Sequence, residues 1–244
     1  MGVVTRFDPK RLRVERVHVE ATYHAAYSFY GLKGAIAERW AHGPVFGAVG
    51  EAGSGQLNMT PATGSGDDRL VGVLGIRASA VLGEGKRWAA SAPDVAEELF
   101  KDIYTALKPK RTVAVKTDLF GLYPIRDPYR ASQLLRARYY QDKALLDFAG
   151  TSRPHAAVEV FVPDDQGGQQ SLIMGVYGPP HQGLYLTFPD KDRDAKWWMG
   201  IRIVRMVKSE EGINDPLATI SQTIEGAMSD WSRISRDELP AVVV

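Results

Sequence analysis

The chain has 244 residues, with 30 Lys and Arg, 29 Asp and Glu, 24 Gly, 14 Pro and no Cys. With 44% hydrophobic residues it can build a large core, so disorder along its whole length is excluded. The lack of cysteine removes disulfides, thiolate metal sites, iron–sulfur clusters and thiol nucleophiles, and a net charge of +1 argues against a wholly basic nucleic-acid binder.

The N-terminal residues carry Arg6, Lys10, Arg11, Arg13 and Arg16 with no apolar run behind them, which is not the pattern of a signal peptide. No stretch approaches the roughly 20 apolar residues that cross a bilayer, so no membrane partner is expected and a cytoplasmic protein is the expectation. Residues 16–24 alternate, with Val17, Val19, Ala21 and Tyr23 on one side and Arg16, His18, Glu20, Thr22 and His24 on the other, the pattern of a half-buried strand. Leu32, Ile36 and Trp40 then repeat at helical spacing until Gly43-Pro44. Strand-like pieces follow at 56–59 and 70–82, with a turn or loop at 62–68 between them.

Ser91 and Asp94 form a capping-box-like pair ahead of the stripe Val95, Leu99, Ile103 and Leu107, which predicts a helix ending at Lys108-Pro109. Residues 111–120 revert to a strand pattern, and Asp127-Pro128 caps a helix predicted to run to about Phe148. Three strands are predicted at 156–163, 171–177 and 183–188, and a fourth at 197–207. A last helix after Asn214-Asp215-Pro216 carries Leu217, Ile220, Ile224, Ala227 and Trp231, and the tail 240–244 reads as loosely held or an edge strand.

These elements predict an α+β fold of two small antiparallel sheets backed by helices. The division is an N-terminal half over 1–125, a basic connecting helix over 126–150 and a C-terminal half over 151–244. Each half then opens on a strand bearing His and Glu on one face, which suggests an internal duplication. The segments Val95-Ala96-Glu97-Glu98-Leu99-Phe100, Ala106-Leu107-Lys108-Pro109 leading into 112–120, and Trp231-Ser232-Arg233-Ile234-Ser235 carry a resemblance in element order. By that order the chain resembles a sporadically distributed family of uncharacterised bacterial proteins. The resemblance implies two α+β halves and carries no site residue or activity with it.

Several constellations of residues could carry chemistry. His18 and Glu20 share a strand face about 6.6 Å apart, and His24 faces the same way. His18 and His24, however, are about 20 Å apart along an extended strand, too far for one ion, and a solvated polar face is the simpler account. His155 and Glu159 share parity in the second half, so His18, Glu20, His155 and Glu159 could line a polar groove usable for acid–base chemistry. The glycines at 47, 50, 53 and 55 lack the Lys-Ser/Thr of a phosphate loop and read as a flexible loop. Gly83-Glu84-Gly85-Lys86-Arg87 reads as a turn, His42 and His181 stand in turn contexts, and Asp190, Asp192 and Asp194 open a calcium-loop spacing that Ala195 and Ile201 break. No cofactor motif and no metal site is called for.

Charge is more informative in its distribution. Residues 101–143 hold ten basic and four acidic side chains, and Arg126, Arg130, Arg136 and Arg138 surround Tyr129, Tyr139 and Tyr140. Basic side chains among aromatics suit a nucleic-acid surface, while the same residues also suit a solvated face or a partner contact. Trp197 and Trp198, adjacent on a strand, must point to opposite faces, so one of them should be exposed, in a pocket or covered by another chain. The leading expectation is a non-enzymatic interaction protein that binds a protein partner or self-associates. Nucleic-acid binding through the basic helix, and an enzyme with a His/Glu groove, stand as alternatives.

Overall fold

The structure is a computed structural model that describes residues 7–41, 45–51, 55–61, 68–139, 157–163, 168–178 and 197–243. Its centre is one nine-stranded antiparallel sheet. The strands are β1 (Arg13–Tyr23), β2 (Ala48–Glu51), β3 (Gln56–Thr60), β4 (Arg69–Gly75), β5 (Ala78–Glu84), β6 (Thr112–Ile125), β7 (Ala157–Pro163), β8 (Gln169–Tyr177) and β9 (Trp197–Lys208). Their order across the sheet is β2-β3-β4-β5-β1-β6-β9-β8-β7. The helices are α1 (Phe29–Ala41), α2 (Gly85–Leu107), α3 (Pro128–Tyr139) and α4 (Pro216–Arg233), which runs through a π-turn (Ile234–Glu238) into the short α5 (Leu239–Val243).

The alternation of β1 places Val17, Val19, Ala21 and Tyr23 in the core, each at most 2% exposed. The stripe of α2, Val95, Leu99, Ile103 and Leu107, is buried against the same layer, as are Ile220, Ile224, Ala227 and Trp231 of α4. All four longer helices contribute to one core cluster with the inward strand residues, so they share one face of the sheet. Two proline-led helices are capped as their sequences predict. Asp127 Oδ1 accepts from the Arg130 N–H at 2.9 Å, and Asp215 Oδ1 accepts from the Ala218 N–H at 3.0 Å.

The α+β class holds, but the two small sheets are one. β1 is bonded to β5 on one side and to β6 on the other, so the edges that would bound separate sheets satisfy each other. The order of elements does repeat. β1, α1, a meander ending at β5 and then α2 is followed by β6, α3, a meander ending at β9 and then α4. The repeat therefore restarts at β6, not at the Glu159 strand, and the two opening strands lie antiparallel at the middle of the sheet.

Five local expectations differ from the structure. The 83–87 turn is instead the end of β5 and the start of α2, which begins six residues before Ser91. There the Ser91 hydroxyl bonds the carbonyls of Arg87 and Trp88 and is no cap, because burial of Trp88, Ala89 and Ala92 on the sheet extends the helix. The strand-like run 70–82 is a hairpin that breaks at Ile76-Arg77, and the glycine loop supplies β2, with Gly50 inside it. The tail is helical, with Leu239 and Val242 fully buried. The expected loop at 62–67, the helix beyond Tyr139, the strand at 183–188, and the residues His42, Gly53, Tyr140, His155, His181, Asp190, Asp192 and Asp194 lie outside the described residues.

Candidate functional site

The face of the sheet opposite the helices is built by strand register. One row across it reads Arg69, Glu84, Arg16, Phe120, Arg202, Ile173 and Glu159. The next reads Val71, Leu82, His18, Asp118, Val204, Ser171 and Phe161. A third carries Val73, Ala80, Glu20, Lys116, Met206 and Gln169. Arg16, His18, Glu20, Lys116, Asp118 and Arg202 thus stand together on the central strands, with Arg69, Glu84 and Glu159 farther out among apolar side chains. Among the described residues no helix covers this face.

Asp118 organises the strip. Arg202 grips it in a fork, Nη2 to Oδ2 at 2.6 Å and Nε to Oδ1 at 3.0 Å, while Lys116 Nζ stands 3.7 Å and Arg16 Nη2 4.0 Å away. Burial pushes the Asp118 carboxyl up, but the Arg202 hydrogen bonds and the three cations outweigh it and hold the group below the usual carboxylate range. The bonds to Asp118 raise Arg202 in turn. His18 is lowered, chiefly because it is desolvated, with the attraction of Glu20 opposed by Lys116. Its Nε2 lies 4.0 Å from Glu20 Oε2, outside hydrogen-bond reach, so the two are neighbours and not a joined acid–base pair. His24 is exposed at the end of the strand, and Glu159 lies on β7, four strands or about 19 Å from β1. The structure therefore does not bring Glu159 together with His18 and Glu20. Among the described residues no three His, Asp or Glu side chains form a metal-binding group.

At one end of this face Phe120, Leu122 and Trp198 form a small buried cluster with Tyr177 packed on it. The Phe120 and Tyr177 rings meet edge to face at 6.0 Å, and the Arg13 guanidinium lies 5.4 Å from the Trp198 ring centre. Trp197 and Trp198 do take opposite faces. Trp198 is 2% exposed in this cluster and Trp197 is half-buried against the main core, so the chain itself supplies surroundings for both.

The basic helix is α3. Arg126, Arg130 and Tyr129 are exposed around its start, and Arg136 is half-buried. Arg138 Nε donates to Glu238 Oε2 at 2.8 Å, and the Tyr139 hydroxyl donates to the same oxygen. Glu238, which sequence spacing could not have linked to residues 99 and 100 positions earlier, ties the end of α3 to the C-terminal segment. Arg138, then Tyr139, hold its carboxyl below the usual range.

A further surface is not visible in the sequence, because its position depends on strand order. β7 is the outermost strand beside β8, and among the described residues it pairs with β8 alone. Val160, Phe161 and Val162 are 48%, 54% and 53% exposed there. A long apolar sheet edge is a template for another strand. The opposite edge strand, β2, spans four residues and packs beside α1.

Among the described residues the fold is one helix-backed antiparallel sheet with the apolar strand β7 at one edge. No protein-family model matches the sequence, and no curated protein matches it. Among the described residues no helix is long and apolar enough to cross a membrane.

Proposed function

We propose that this chain is a non-enzymatic interaction protein that binds another protein chain through the β7 edge of its sheet. The observation that carries the reading is the run Val160-Phe161-Val162, about half exposed on an outermost strand. Main-chain groups at such an edge give affinity to an added strand, and side chains on alternating faces give selectivity. Covering each of these half-exposed side chains is worth about 1 kcal/mol. The absence of cysteine suits work in a reducing compartment, the cytoplasm.

The test is affinity capture with the wild-type chain and with a Val160→Lys/Val162→Lys variant whose melting temperature is matched. The reading expects a bound chain on the wild type and its loss from the variant. Equal capture by both, or none by either, overturns it.

A second reading, nucleic-acid binding by α3, is favoured by the exposure of Arg126, Arg130 and Tyr129. It is weakened by the engagement of Arg138 and Tyr139 with Glu238. It expects affinity that falls steeply with salt and is lost on Arg126→Glu/Arg130→Glu, and salt-independent or absent binding removes it.

A further inference from the structure

We draw no further inference here: the strongest candidate, the cluster of Arg16, Lys116 and Arg202 around Asp118 on the sheet face opposite the helices, has its cations matched by Asp118 and by Glu84 and Glu20 on the neighbouring strands, and nothing in the structure shows what covers it.

Discussion

Trp231 of α4 lies directly on Gly121 of β6. A Cβ at Gly121 would stand 2.7 Å from Trp231 Cζ3 and 2.5 Å from the Arg13 carbonyl oxygen, so the absence of a side chain is what lets helix and sheet close. Gly121→Ala should cost about 1–3 kcal/mol by overpacking. Urea denaturation measures it, and an unchanged midpoint would show that α4 can lift off without penalty.

Asp118 and Arg202 lie 84 residues apart in the chain and form the shortest ion pair among the described residues, at 2.6 Å. Asp118→Asn keeps the shape of the side chain but loses a charge-assisted fork and leaves three cations near one another. A loss of about 1.5–3 kcal/mol is expected. A double-mutant cycle with Arg202→Gln should return a coupling energy of the same sign, and additive single effects would remove the pair from the account of stability.

Acid should weaken the fold in two steps. His18 has a folded-state pKa below its ordinary 6.5, so the unfolded chain binds the proton more readily. Its contribution is present above 6.5 and is lost as pH falls from there through the lowered value. Asp118 is likewise lowered from 3.8, so its contribution is present above 3.8 and is lost as pH falls through its own lowered value. Denaturant midpoints followed from neutral to acid pH should fall in both windows, and His18→Gln should remove the first fall while sparing the second.

The C-terminal segment should prove part of the core. Leu239 is fully buried, and Leu239→Ala is expected to cost about 2–5 kcal/mol. Glu238→Gln, at a surface site shared with Arg138 and Tyr139, should change thermal stability far less. Hydrogen exchange at the end of α3 should nonetheless speed up in that variant, and unchanged exchange would show that Glu238 does not hold the helix.

Local pattern was legible wherever one face of an element is buried. The alternation from Val17 to Tyr23, the α2 stripe and the Asp-Pro starts of α3 and α4 are consequences of side-chain period and backbone donors, which act over a few residues. The start of α2 was not legible, because a capping pair at Ser91 competes with burial of Trp88 and Ala89, and burial is decided by what lies opposite. The helical tail was hidden for the same reason, since Leu239 and Val242 are apolar in any setting and find the core only once α4 is docked.

At the candidate sites the division is similar. The sequence by itself determined that Arg16, His18 and Glu20 share a face, that Trp197 and Trp198 do not, and that residues 157–163 form a strand. Tertiary structure alone decided that β1 and β6 join the halves in one sheet, that Asp118 meets Arg202, that Glu238 holds Arg138 and Tyr139, and that β7 is outermost among the described strands. Strand order follows from pairings between distant segments, whose closure depends on the whole core and on no local pattern, so an apolar strand reads the same in the sequence whether it is flanked or at an edge.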